Sequence, residues 1–203
     1  MMILDLKTDT AAKLKKLAAL LAQGEVIAYP TETVYGLGCD ATNQAAVEKI
    51  YSIKGKDKNK QLLVLVGSRA MAEKYFEFNA LSRRLARRYW PGALSMILPV
   101  RPEFLGVFGQ EKVGVRLSSN RMATSLSRRL GRPIISTSAN PSGQPAALSG
   151  EQVQAYFKNE AGMIAALADG GALEPSLGST VVDASSGEIK LIRQGAVEII
   201  GKI

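Results

Sequence analysis

Amphipathic helical segments alternate with short apolar runs in the first third of the chain, and this alternation restricts the fold more than any other feature. The segment Thr10–Gln23 repeats leucines at helical spacing, and Gly24 closes it. The run Gln61–Val66 is almost continuously apolar, as expected of a strand that is buried on both faces. Strands dominate later in the chain. This order predicts an α/β fold whose sheet contains some antiparallel pairing.

Helix start and stop signals and apolar runs divide the chain into elements. We predict helices over Thr10–Gln23, from an N-cap at Asn43 to Ile53, and over Arg69–Phe76, Ala80–Tyr89, Arg121–Leu130 and Ser149–Phe157. We predict strands over Glu25–Tyr29, Gln61–Val66, Leu94–Leu98, Val113–Leu117, Ile134–Ser136, Met163–Ala168, Thr180–Ala184 and Ile189–Arg193. No repeat, low-complexity tract or linker interrupts the pattern, so we expect a single domain over residues 1–203.

The chain has no histidine and a single cysteine, Cys39. This composition argues against a structural zinc site, a Ser-His-Asp triad and a histidine general base. It also excludes an internal disulfide and fits a reducing compartment, so we expect a cytoplasmic protein. An enzyme of this composition works mainly through positioning and charge neutralisation, which favours phosphate chemistry.

The net charge of +8 is concentrated in the middle of the chain. Residues 49–132 hold 18 of the 26 Lys and Arg residues but only 5 of the 18 Asp and Glu residues. This imbalance predicts an anionic partner, either a nucleotide, a nucleic acid or both. Four arginines at helical spacing form a solvated face or contact a phosphate backbone: Arg83, Arg84, Arg87 and Arg88.

Two polar segments follow predicted strands or helices. Residues 29–41 leave a strand through Pro30 and enter a polar loop in which Gly36 and Gly38 permit positive φ or a close backbone approach. The segment 54–60 has a lysine at every second position, so an extended backbone would project these lysines to one side. They are Lys54, Lys56, Lys58 and Lys60. Such a row suits a triphosphate, and a solvated loop is the alternative.

Arg116 is the lone charged residue in the apolar segment Val113–Leu117, which predicts a sheltered position. A buried arginine requires an anionic partner, either a ligand carboxylate or a protein Asp or Glu. Hydroxyl and amide groups also follow the strands near residues 136–143, 177–180 and 191–195. Because open α/β sheets bind ligands at strand ends, we group these segments into one candidate site.

Seven motifs in register give the chain a resemblance to the YrdC-like family of threonylcarbamoyl-AMP synthases, in its short single-domain form. The motifs are Tyr29–Gly38, Lys54–Lys56, Trp90–Gly92, Val113–Arg116, Ser136–Gly143, Gly178–Thr180 and Ile192–Gly195. The resemblance implies a twisted, mixed, open sheet with flanking helices around a concave, positively charged cleft. It also implies that L-threonine, bicarbonate and ATP give threonylcarbamoyl-AMP and pyrophosphate, for threonylcarbamoyladenosine modification of tRNA with partner proteins.

The same resemblance implies residue roles. Thr33, Arg116, Ser136 and Ser179 would hold threonine. Lys54, Lys56, Lys60, Ser138, Asn140 and Arg193 would contact ATP, while Lys54, Lys56 and Arg116 would act in catalysis. Mg²⁺ would be carried by the phosphates, with no protein side chains as ligands.

Two positions depart from the family pattern. Lys56 stands where relatives usually carry arginine, and Leu65 stands where many carry histidine. An RNA-binding module with weak or no synthase activity, acting in tRNA or ribosomal RNA maturation, is the alternative function. Carbamoyl transfer to another acceptor, as in hydrogenase maturation, would call for further domains.

Overall fold

The computed structural model describes residues 1–6, 10–55, 63–160 and 162–199. In this part of the chain the α-helices are α1 Thr10–Ala22, α2 Gln44–Lys54, α3 Arg69–Tyr75, α4 Ala80–Tyr89, α5 Leu105–Phe108, α6 Arg121–Leu130 and α7 Gly150–Tyr156. The strands are β1 Met2–Asp5, β2 Ile27–Pro30, β3 Tyr35–Gly38, β4 Leu63–Leu65, β5 Leu94–Pro99, β6 Lys112–Arg116, β7 Ile134–Ile135, β8 Thr137–Ser138, β9 Ala166–Asp169, β10 Thr180–Asp183 and β11 Lys190–Arg193.

The strands form two mixed sheets flanked by helices, which confirms the predicted α/β class. One sheet has the order β1-β9-β2-β3-β8, and the other has the order β11-β10-β5-β6-β4-β7. The division into two sheets is not evident from the sequence, because apolar runs identify strands but do not state which strands pair. Whether the surface between the sheets is positively charged overall stays a prediction.

Side-chain caps explain where four of the six predicted helices begin. The side chains of Asn43, Asn79, Asn120 and Ser149 each accept a hydrogen bond from a backbone N–H in the first turn of the helix that follows. These contacts satisfy amides that would otherwise lack a partner. The additional helix α5 is a single turn without a capping side chain, and the sequence analysis did not predict it.

Residues 35–38 form a buried strand, whereas the sequence suggested a loop. Strand β3 pairs antiparallel with β2 on one side and with β8 on the other. Gly38 is required by close approach rather than by positive φ, whereas a Cβ at Gly36 would meet nothing closer than 3.4 Å. A Cβ at Gly38 would lie 2.6 Å from Tyr29 Cε1 and 2.7 Å from the Ile135 carbonyl oxygen. Hydrogen bonds on both edges of β3 therefore offset the low strand propensity of its glycines.

The chain crosses from one sheet to the other at Ser136. Strand β7 before it pairs with β4, while β8 after it pairs with β3. The Ser136 amide donates to the Leu63 carbonyl at 2.7 Å, and the Ile135 amide donates to the Cys39 carbonyl at 2.8 Å. This crossing holds the edge of the first sheet beside the face of the second sheet.

Two clusters of buried apolar side chains stabilise this arrangement. The larger cluster contains Leu37, Val113 and Val115, together with Cys39, which is fully buried as a small apolar filler. The smaller cluster lies between α1, α6 and the sheets and includes Leu65. Among the described residues, no helix combines the length and the apolar surface that crossing a bilayer requires.

Gly38→Ala should lower the free energy of unfolding by about 1–3 kcal/mol, because the added methyl group overlaps a ring and a backbone carbonyl that cannot retreat. Urea denaturation measures the effect. Gly114→Ala is the matched control, since a Cβ there meets nothing closer than 3.7 Å. Equal destabilisation by the two changes would contradict the close-approach explanation.

Candidate functional site

A cleft of about 480 Å³ lies between the two sheets. Gly114 and Arg116 of β6, Ile97 of β5 and Val181 of β10 line it from the second sheet. The turn between β2 and β3, Gly36 and the crossing segment 136–138 line it from the first sheet. Side chains alternate along β6, so Val113 and Val115 point into the core while Arg116 points into the cleft.

Arg116 is only 4% exposed, which confirms the sheltered position expected from its apolar neighbours. Its Nη1 lies 3.6 Å from Glu32 Oε1 and 3.4 Å from Thr33 Oγ1. The anionic partner that the sequence left open is therefore a protein carboxylate. The pairing is incomplete, however, because Arg116 Nε and Glu32 Oε1 are buried without a hydrogen-bond partner. Buried groups in this state favour a ligand that completes their contacts.

The turn between β2 and β3 is organised by Thr31. Its hydroxyl donates to the Val34 carbonyl at 2.7 Å and accepts from the backbone amides of Thr33 and Val34. The Thr33 hydroxyl lies 3.1 Å from that of Thr31, so Thr33 is held against the cleft beside Arg116. Threonine and serine often stabilise turns in this way.

A second hydroxyl group in the cleft lining belongs to Ser179. Ser179 Oγ accepts from Ser95 Oγ at 2.9 Å and from Arg193 Nη2 at 3.2 Å. Two bonds therefore use Ser179 Oγ as an acceptor, which leaves its own hydroxyl proton to be donated. Arg193 also donates to the Ser179 carbonyl through Nε and Nη2.

Two guanidinium groups share the cleft. Partial burial lowers the pKa of Arg193, and the positive charge of Arg116 lowers it further. Both side chains line the same cavity. Mutual repulsion between such groups is relieved when an anion binds between them. The electrostatics of the cleft are therefore suited to an anionic ligand.

Burial raises the pKa of the Tyr29 hydroxyl, and the neighbouring Ser136 and Arg116 act in the opposite direction. The ring of Tyr29 packs against Gly36 and Gly38. Ser136 and Ser138 lie on the cleft side of the crossing segment. The structure thus brings six predicted site residues to one cavity: Thr33, Arg116, Ser136, Ser138, Ser179 and Arg193.

Lys54 and Asn140 lie behind the cleft rather than in its lining. Lys54 is 5% exposed, and its Nζ donates to the Asn140 carbonyl at 2.9 Å and to Asn140 Oδ1 at 3.2 Å. It also donates to the Ser138 carbonyl at 2.5 Å. The ammonium therefore holds the 138–140 loop against the end of α2. The contact between Lys54 and ATP stays a prediction.

The remaining positions from the sequence analysis are three lysines and Leu65. Lys56, Lys58 and Lys60 lie outside the described residues. Leu65 is fully buried in the smaller apolar cluster, so the position where relatives carry histidine serves packing in this chain.

Sequence reasoning missed Glu32, Ser95 and Ser118. The Ser118 hydroxyl donates to Glu32 Oε2, which fixes the carboxylate beside Arg116. Glu32 lies within the motif Tyr29–Gly38, and the charge expected opposite a buried arginine could have identified it. Ser95 and Ser118 gave no such signal, because their contacts join segments that are far apart in sequence. Within the described residues, no group of three or more His, Cys, Asp and Glu side chains could hold a metal ion.

The chain is similar to proteins of known name. The Sua5/YciO/YrdC family, described as "Telomere recombination", matches residues 19–195. A threonylcarbamoyl-AMP synthase of Bacillus subtilis (strain 168) is 38% identical over 184 residues, which cover 89% of this chain and 52% of that protein. One of Idiomarina loihiensis is 36% identical over 156 residues, which cover 74% and 84%, respectively.

Solved structures extend the similarity to the fold. The crystal structure of Pyrococcus abyssi Sua5 complexed with L-threonine superposes with a TM-score of 0.87 and is 32% identical. The match covers 96% of this chain and 58% of that chain. The chain thus spans little more than half the length of the Bacillus and Pyrococcus proteins.

Lys54→Met should lower the free energy of unfolding by about 1–3 kcal/mol, because it leaves the carbonyl groups of the 138–140 loop without their donor. Chemical denaturation followed by circular dichroism measures this change. Lys49→Met on the same helix is the control and should cost about 1 kcal/mol or less, because its ion pair with Glu25 and its hydrogen bond to the Gly24 carbonyl come from a side chain that is exposed to solvent, unlike that of Lys54. A neutral Lys54→Met would argue against this role.

Proposed function

This chain belongs to the Sua5/YciO/YrdC family, as its motifs predicted, and from that premise we propose that it is a threonylcarbamoyl-AMP synthase. The reaction condenses L-threonine, bicarbonate and ATP into threonylcarbamoyl-AMP and pyrophosphate, and is formally a nucleotidyl transfer. The observation that carries the proposal is the buried, incompletely paired Arg116 in a cleft that it shares with Arg193. Relatives of this name and a relative bound to L-threonine support the proposal.

In this proposal the carboxylate of threonine pairs with Arg116. Arginine recognises carboxylates through parallel hydrogen bonds from its planar guanidinium, and these bonds gain strength in a sheltered site. Thr33, Ser136 and Ser179 line the same cleft and supply hydroxyl groups for the remaining polar atoms of the substrate. The proton that Ser179 retains is one such donor.

The nucleotide takes the part of the cleft nearer to Arg193 and Ser138. Lys54 and Asn140 act there by fixing the loop that carries Ser138. Lys56 and Lys60 are proposed to contact the triphosphate on the basis of the family resemblance, since they lie outside the described residues.

The chemistry requires several anions to be held together. The amine of threonine combines with bicarbonate, which releases water and gives a carbamate. A carbamate oxygen then attacks the α-phosphorus of ATP, and the bond to pyrophosphate breaks. Arg116 and Arg193 offset the repulsion between the carbamate and the phosphates, and holding both substrates in one cleft lowers the entropic cost of the encounter.

The described residues do not offer a ligand set for a resident Mg²⁺ ion. Mg²⁺ commonly reaches such sites on substrate phosphates, where it neutralises charge on the departing group. Transfer of the threonylcarbamoyl group to tRNA by partner proteins is the proposed fate of the product.

RNA binding is a second proposed property, favoured by the exposed arginines of α4. Arg83, Arg84, Arg87 and Arg88 are all exposed, while Leu81 and Leu85 on the other side of the helix are buried. Arg83 pairs with Glu73, whereas Arg84 and Arg87 have no carboxylate partner among the described residues. Contacts from such residues go to the phosphate backbone and carry no sequence information.

Purified protein supplied with ATP, bicarbonate and threonine should release pyrophosphate at a rate that depends on threonine. A coupled phosphate assay measures the release, and mass spectrometry identifies the adenylate. Serine in place of threonine measures side-chain preference. Folded protein that shows no threonine-dependent turnover would refute the synthase assignment.

Arg116→Lys should raise the KM for threonine by about 10- to 100-fold, because an ammonium group cannot reproduce the paired bonds of a guanidinium. The KM for ATP should change less. Arg84→Lys on the exposed face of α4 is the matched control and should leave both constants unchanged. An unchanged threonine KM in Arg116→Lys would remove this residue from the proposed threonine site.

Charge reversal of Arg84 and Arg88 to glutamate should abolish RNA binding, and binding by the unmodified protein should weaken steeply with salt. Fluorescence anisotropy with a labelled tRNA measures both effects. Normal turnover combined with negligible RNA affinity at moderate salt would contradict RNA binding as a primary role.

A further inference from the structure

A second hollow lies on the other side of the Arg116–Ser118 segment and is not used by the proposed reaction. It has a volume of about 520 Å³ and is bordered by α6, the start of α3 and the residues that follow β6. Three arginines and five hydroxyl residues line it, with Pro91 and Leu117. They are Arg69, Arg121, Arg128, Ser68, Ser118, Ser119, Thr124 and Ser125.

Helix α6 presents a polar stripe to this hollow. Arg121, Thr124, Ser125 and Arg128 stand at positions i, i+3, i+4 and i+7, so they share one helical face. Residues on the opposite face, such as Leu126, are buried in the core. Two guanidinium groups and the hydroxyls between them are therefore held on a rigid element.

Hydrogen bonds to backbone carbonyls fix two of these arginines. Arg69 Nη2 donates to the carbonyl groups of Ala86, at 3.0 Å, and Trp90, at 2.5 Å. Arg128 Nε donates to the Gly67 carbonyl at 2.5 Å, and a Cβ at Gly67 would lie 2.6 Å from Arg128 Cγ. In each arginine these hydrogen bonds use one guanidinium nitrogen, and the other nitrogens are directed away from the backbone carbonyls.

The charges in this hollow are not balanced by protein carboxylates. Elsewhere in the described chain, Arg83, Arg116 and Arg132 pair with Glu73, Glu32 and Asp40. Arg69, Arg121 and Arg128 form no ion pair within the described residues, and no acidic side chain lines the hollow. Glu32 touches its wall only through the Ser118 hydroxyl and is paired with Arg116. Three like charges around one concavity favour an anion.

The amides at the start of α6 do not create this site, because they are already satisfied. Asn120 Oδ1 accepts from the amides of Met122 and Ala123, and the Asn120 carbonyl accepts from the amide of Thr124. The side chains must therefore supply the binding groups. Arginines and hydroxyls in combination are the groups that proteins use for phosphate oxygens.

We propose that this hollow binds a phosphate group through Arg69, Arg121 and Arg128. The group is either a free phosphate-type anion or a phosphodiester of a polynucleotide, which have the same recognition chemistry. The site is separate from the cleft between the sheets, so the proposal does not depend on the synthase function.

Titration of the full chain with inorganic phosphate at constant ionic strength tests the proposal, with amide chemical shifts as the readout. The amides of Ser119, Arg121 and Ser125 should shift saturably, whereas sodium chloride should not produce the same saturation. The amides of Gly36 and Ser179 report separately on the cleft. Shifts confined to the cleft, or no saturable shift at either place, would overturn the proposal.

Arg121→Gln should weaken phosphate binding at the hollow by about tenfold, the effect of losing one charge-assisted contact. Arg121→Lys should restore part of the affinity, because it keeps the charge. Arg129→Gln is the matched control, since it removes the same charge from the same helix outside the hollow. An equal loss of phosphate affinity in Arg121→Gln and Arg129→Gln would mean that net charge alone attracts phosphate. That result would contradict a specific site in the hollow.

The fold of each variant is checked by its urea midpoint, which should not change because Arg121 is exposed and makes no side-chain hydrogen bond within the described residues.

A titration with a short single-stranded RNA distinguishes the two sources of the phosphate group. RNA that shifts the same amides at lower concentration than phosphate identifies a polynucleotide as the source. Saturation by phosphate without an effect of RNA identifies a free anion.

Discussion

The close approach of β3 to Tyr29 and to the crossing segment is the constraint on which the rest of the structure depends. It exists because Gly38 has no side chain where a Cβ would meet both the Tyr29 ring and the Ile135 carbonyl. The approach brings β3 against β8, and β8 follows directly from the strand that pairs with the second sheet. The cleft and its hydroxyl lining therefore arise from backbone packing before any ligand binds.

The electrostatics of the cleft follow from this geometry. Arg116 extends from the face of the second sheet toward the turn of the first sheet, where Glu32 and Thr33 contact only one of its nitrogens. Arg193 lines the same cleft, and the positive charge of Arg116 lowers its pKa. A buried ion pair that leaves polar atoms unsatisfied contributes little to stability, so this arrangement is better explained by binding than by folding.

Sequence reasoning was most successful where the cause is local. Asn43 and Ser149 identified helix starts because each cap joins residues only three positions apart. It was least successful where strand pairing determines the local structure. The glycines of β3 are typical of a turn, and only the hydrogen bonds of this segment to β2 and β8 make it a strand. The apolar neighbours of Arg116 in β6 predicted a sheltered position for its side chain. They did not identify its partner Glu32, which lies in a turn of the other sheet. The contacts of Lys54 with the 138–140 loop are equally non-local.

The bond from Ser118 to Glu32 has a consequence beyond the orientation of one carboxylate. Ser118 lines the arginine hollow, and Glu32 pairs with Arg116 in the cleft, so the two cavities share a chain of three side chains. A ligand that drew the Ser118 hydroxyl away from Glu32 would change the free energy of placing an anion beside Arg116. Thermodynamic linkage would make that effect reciprocal, so that occupancy of the cleft would alter affinity in the hollow by the same factor.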